Sequence, residues 1–109
     1  MGGQSYLGEF EQMVLLAILR CGRDANGLQV RRALEETADR KVSKGAFYTT
    51  LDRLEAKGYL TWRLAPAAEA RTKLPQRHFE VTAAGRDELR RSREALLRLW
   101  SGLEEVIGG

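Results

Sequence analysis

Chemistry needs suitable side chains brought close together, and this chain is sparing with them. His78 is its one histidine and Cys21 its one cysteine. One subunit therefore cannot assemble the His/Cys set that holds zinc. A Ser-His-Asp arrangement would have to recruit His78 from a stretch rich in bases, for which nothing argues. No glycine-rich Walker or dinucleotide fingerprint occurs. The expectation is a protein that is not an enzyme and carries no cofactor or metal. Charge is more informative. Residues 1–40 and 79–109 each set five arginines against six acids, a net −1. Residues 41–78 set eight bases (Lys41, Lys44, Arg53, Lys57, Arg63, Arg71, Lys73, Arg77) against Asp52, Glu55 and Glu69, a net +5. A basic excess confined to one third of the chain is the footprint expected of a phosphate-backbone partner. A solvated basic surface is the other reading.

The chain that must position these groups is short. Its 109 residues, 43% hydrophobic and 30% charged, suit one folded domain with a modest core that a partner subunit would help to cover. The longest apolar run, Met13 to Leu19, falls far short of the ~20 residues of a membrane span. Met1-Gly2-Gly3-Gln4 has no export signal, and a lone cysteine fits a reducing cytoplasm, the expected location.

Apolar residues at 10, 13, 14, 17, 18 and 21 predict a first helix over Glu9–Cys21, with Leu15, Leu16 and Leu19 widening its apolar face until little remains polar. Asn26 is the expected cap of a second helix, about Gly27 to Ala38. Ser43 is the expected cap of a third, running to about Lys57 and stopped by Gly58. Phe47, Leu51 and Leu54 share one face of that helix, with Gly45, Tyr48, Thr49, Asp52, Arg53 and Ala56 opposite. Leu60, Trp62 and Leu64, then Phe79 and Val81, alternate as strands around a long basic tip, Ala65 to Gln76. Thr82 would cap a last helix reaching roughly to Ile107. Along it Leu89, Leu96, Trp100, Leu103 and Ile107 form a near-heptad seam, interrupted by Arg93.

The predicted fold class is mainly α with a small β-hairpin: a winged helix-turn-helix over residues 1–82 and a C-terminal dimerisation helix over 83–109. In such a domain the third helix enters the major groove and the hairpin, or wing, rests on the neighbouring backbone or minor groove. The basic third of the chain covers those two elements.

The run from Val42 to Leu60, with Tyr48 in the helix, then Leu54-Glu55, then Gly58 before an apolar strand, closely resembles the PadR family of bacterial transcriptional regulators. His78-Phe79-Glu80-Val81-Thr82-Ala83-Ala84-Gly85 resembles that family's wing return into Thr-x-x-Gly, although His78 stands where an aromatic is usual. Leu7-Gly8 to Leu19 and Asn26-Gly27 match its opening helix and the turn that follows. The resemblance covers about residues 6–103 and implies a homodimeric, cytoplasmic repressor that binds double-stranded DNA. It also implies, for many relatives, release from DNA by a small hydrophobic or aromatic effector near the dimer interface.

The residues expected to touch DNA are Ser43, Lys44, Tyr48, Thr49 and Arg53 on the third helix, with Arg71, Lys73 and Arg77 on the wing. Tyr48 equally suits a half-buried brace. Leu89, Leu96, Trp100, Leu103 and Ile107 are the expected dimer seam. Phe10, Met13, Leu96 and Trp100 would line an effector pocket; the other reading of Trp100 is plain packing of the dimer core. The alternative function is a winged-helix module that docks a protein without specific DNA binding.

Overall fold

A computed structural model describes residues 6–65 and 76–108 of the chain. Its elements are α1 (Glu9–Cys21), a 3-10 turn (Gly22–Asp24), α2 (Gly27–Ala38), α3 (Lys44–Ala56), β1 (Leu60–Ala65), β2 (Gln76–Val81), α4 (Ala83–Trp100) and α5 (Glu104–Ile107).

Three of the helices begin where a short polar side chain satisfies an otherwise unpaired amide. Asn26 Oδ1 accepts from Gln29 N–H at 2.9 Å, Ser43 Oγ from Ala46 N–H at 3.1 Å, and Thr82 Oγ1 from Gly85 N–H at 3.0 Å. These are the caps expected from the sequence. α1 instead starts at Gly8, whose N–H donates to Glu11 Oε1 at 3.0 Å.

One core joins the elements. Val14, Leu15 and Ile18 of α1 meet Val30 and Leu34 of α2, Phe47, Leu51 and Leu54 of α3, and Leu60, Phe79 and Val81 of the hairpin. β1 and β2 pair antiparallel, Leu60 opposite Val81 through Ala65 opposite Gln76. The hairpin is not isolated. Phe79 N–H donates to the Ala25 carbonyl at 2.9 Å, and Asn26 forms an isolated antiparallel bridge with His78, so the segment before α2 lies along the outer edge of β2. That contact stabilises a hairpin that would be marginal alone.

Alternation in β1 is weaker than its sequence implies. Leu60 is buried, whereas Trp62 and Leu64 are exposed and Ala65 is buried. Of the expected tip, Ala65 and Gln76 instead pair as the last rung of the hairpin, and residues 66–75, with Arg71 and Lys73, lie outside the described residues.

The C-terminal region corrects the expectation of one helix to Ile107. α4 ends at Trp100; Gly102, at φ 83, takes a left-handed conformation that glycine adopts readily, and α5 is a separate turn of four residues. Only the first part of α4 is buried in its own chain, through Gly85, Leu89 and Ser92. Ser92 Oγ accepts from the Leu7 N–H at 3.3 Å, tying α4 to the segment before α1. Gly85 sits so close to the Tyr59 carbonyl that a Cβ there would collide with backbone and stand 2.9 Å from Val81 Cγ1. Beyond Ser92 the helix projects, and Leu96, Leu97, Leu99 and Trp100 are exposed.

Candidate nucleic-acid interface

The amino-terminal end of α3 stands beside the amino-terminal end of α2, and β2 closes the third side. The hollow between them, of ≈450 Å3, is lined by Asn26, Gly27, Leu28, Arg31, Lys44, Tyr48, Gln76, Arg77 and Phe79. Three bases from three elements thus face one concavity, and two helix amino termini, each a partial positive charge, open towards it. The arrangement suits an anionic backbone.

Arg77 has the most defined environment. Its guanidinium carbon lies 5.4 Å from the Tyr48 ring centroid, 5.2 Å from Trp62 and 5.5 Å from Phe79. Cation–π attraction of this kind links the wing to α3. Trp62 adds a second link, its indole N–H donating to Glu55 Oε1 at 3.2 Å. Tyr48 is half-buried, edge-on to Phe47 with centroids 5.1 Å apart, so it braces the helix while its ring edge borders the hollow.

The structure brings Lys44, Tyr48 and Arg77 together, with Ser43 next to them as the helix cap. Thr49 is exposed on α3. Arg53 lies nine residues beyond Lys44, about 13 Å along the helix. There its charge acts on Glu11, whose carboxylate accepts from Lys57 Nζ at 2.8 Å. Arg53 therefore does not share the hollow. Arg31, on α2, was not singled out by sequence reasoning. The signal was present, because Asn26 caps α2 and places residues 27–31 on its opening turn.

A second concavity, of ≈540 Å3, runs between α1 and α4 and is lined largely by Leu16, Leu19, Leu89, Leu96, Leu97 and Trp100, with Gln12, Arg86, Arg90 and Arg93 at its borders. Leu96 and Trp100 are where an effector pocket was expected. Phe10 and Met13 are not: both pack against the core instead. α1 is apolar nearly all round, and the face it turns towards α4 carries Gln12, Leu16 and Leu19. Leu89, expected at a dimer seam, is only 9% exposed and belongs to the core of its own chain. Trp100, Leu103 and Ile107 are exposed.

Among the described residues, no group of three His, Cys, Asp or Glu could hold a metal ion. No helix among them is long and apolar enough to cross a membrane.

Three helices, a two-stranded wing and a projecting final helix define a winged helix-turn-helix protein of the transcription-regulator class. The Transcriptional regulator PadR-like family matches residues 15–91, and the chain belongs to that family. Its fold is similar to that of a PadR-like transcription factor from Bacteroides fragilis, at TM-score 0.69 and 19% identity, covering 89% of this chain and 88% of that one. A PadR family transcription regulator from Clostridium difficile R20291 aligns at TM-score 0.70 and 15% identity, covering 91% and 99%. The complex structure of hsRosR-S4 aligns at TM-score 0.66 and 26% identity, covering 88% and 76%. No curated protein sequence matches the chain. Membership of that family makes the protein a DNA-binding regulator of transcription, not an enzyme.

Proposed function

We propose that the protein is a cytoplasmic repressor that binds a palindromic operator as a homodimer. The observation that carries this reading is the convergence of Arg31, Lys44 and Arg77 on one hollow at the amino terminus of α3. Lys44 and Thr49 face base edges or phosphates, Ser43 caps the helix beside them, Tyr48 holds the helix at its depth, and Arg53 reaches the backbone farther along. Arg31 and Arg77 flank the helix on the α2 and wing sides, and Arg71 and Lys73 extend the wing contact. Two α3 helices related by a dimer axis would sit ~34–36 Å apart, one duplex turn. An association of copies through α4 and α5 would cover Leu96, Leu97, Leu99, Trp100, Leu103 and Ile107, which are otherwise bathed in water.

The test is a shift assay against DNA upstream of the protein's own gene over a range of salt. A tight shift that resists competitor DNA, with a log–log salt slope of roughly −5 to −9, is the expected result. Lys44→Ala and Arg31→Ala should each weaken binding by roughly 1–3 kcal/mol or lower the slope by about one. Weak binding to every sequence that vanishes with modest salt would favour a module that docks a protein.

The α1–α4 concavity supports a second element of the reading, release from DNA by a small aromatic effector stacked on Trp100. Quenching of tryptophan fluorescence by flat aromatic compounds, lost in Trp100→Ala, is the expected signature.

A further inference from the structure

Another cleft, of ≈320 Å3, has no lining residue from α2 or α3. Its walls bring together Arg23 of the 3-10 turn, Arg63 of β1, Arg86 in the first turn of α4 and His78 of β2, with Glu80 the one acid among the described lining residues. Among the described residues, no carboxylate lies within ion-pair distance of the three arginines. Arg86, exposed to solvent like Arg23 and Arg63, donates one N–H to the Val81 carbonyl at 3.3 Å. Among the described residues, His78 Nδ1 has no hydrogen-bond partner, and that atom is closed off from solvent. Ile18, Leu19 and Val81 supply an apolar floor.

Three guanidinium groups around one cleft repel one another, and a counter-anion relieves that repulsion. The planar fork of arginine matches the two oxygens of a carboxylate or phosphate, and the cleft is at the small end of ligand-sized cavities. We propose that this cleft binds a small organic anion. Its carboxylate or phosphate head is held by Arg23, Arg63 and Arg86, and a short apolar body lies over Ile18, Leu19 and Val81. Because the cleft touches both wing strands, the turn leading into α2 and the start of α4, its occupant favours one placement of the wing relative to the projecting helix.

The experiment records 1H–15N spectra of the full chain during addition of sodium hexanoate, sodium phosphate or sodium chloride at one ionic strength. Saturable displacement of the Arg23, Arg63, His78 and Arg86 signals by hexanoate or phosphate, absent with chloride, is expected. Hexanoate binding the tighter supports the complete site, and phosphate the tighter supports the head-group site. Arg63→Gln, at an exposed position that leaves the core intact, should weaken binding about tenfold, the loss of a charge-assisted hydrogen bond. Linear drift with all three salts, or unchanged binding by both Arg63→Gln and Arg23→Gln, overturns the proposal. So does a fall of about one in the DNA salt slope of Arg63→Gln, which would make the cleft a DNA-backbone contact. None of these outcomes bears on whether α3 reads DNA.

Discussion

The phenolic oxygen of Tyr48 occupies the space that a side chain at Gly27 would need. A Cβ built at Gly27 collides with that hydroxyl and comes within 3.3 Å of Tyr48 Cζ. The first residue of α2 and the exposed face of α3 are therefore in direct contact, and glycine sets how closely they approach. Gly27→Ala should push Tyr48 aside and destabilise the fold by about 1–3 kcal/mol, as overpacking does. Removing the hydroxyl in Gly27→Ala/Tyr48→Phe should recover most of the loss. Thermal melts of the two variants check this, and no recovery would show that the strain lies in the backbone.

Arg77 is expected to act mainly through the rings around it. Arg77→Leu should loosen the wing and lower stability by about 1 kcal/mol, since it removes cation–π contacts with Tyr48, Trp62 and Phe79. The salt slope of DNA binding separates this tie from a phosphate contact. A slope unchanged in Arg77→Leu marks a positioning residue; a fall of about one marks a charge on the backbone.

Features decided by a few adjacent residues were legible in the sequence. Asn26, Ser43 and Thr82 cap their helices because a cap is local chemistry, and the ends of α1 and α2 follow from the same turns. Features decided by distant partners were not. Spacing alone located a heptad seam from Leu89 to Ile107, but a period says nothing of continuity, and Gly102 breaks the helix within it. An α1 apolar on nearly every side gave no sign that Leu16 and Leu19, not Phe10 and Met13, would face α4. The rings around Arg77 come from α3, β1 and β2, so no sequence window contains them.

Glu11 gives stability a dependence on acid. It is 7% exposed, and its carboxylate accepts from Gly8 N–H and from Lys57 Nζ, 46 residues away. Burial pushes its pKa up, but the Lys57 and Gly8 hydrogen bonds and the charges of Lys57 and Arg53 outweigh this, leaving it below the usual 4.5. The folded protein thus binds the proton less readily than the unfolded chain does. The contribution is complete above about pH 4.5 and is lost as pH falls through the lowered folded value. Glu11→Gln should be less stable than the parent by about 1–2 kcal/mol near neutrality, a figure kept low because Lys57 is partly solvated. Denaturation curves at pH 7 and pH 3 should show that gap closing in acid.

Association through the projecting helix rests on where its exposed apolar residues stand. Leu89 and Ser92 attach α4 to its own core, whereas Trp100 is 42% exposed and Leu103 44%. A charge at either exposed site would be tolerated by a lone subunit but costly inside an interface between copies. Trp100→Asp and Leu103→Asp should therefore leave helical content intact and shift sedimentation equilibrium from dimer to monomer. DNA affinity should fall with that shift, because a monomer reaches only one half-site. A dimer that survives both substitutions would move the interface to the Leu16–Leu19 face of α1. A parent protein that sediments as a monomer would leave the apolar end of α4 to some other partner.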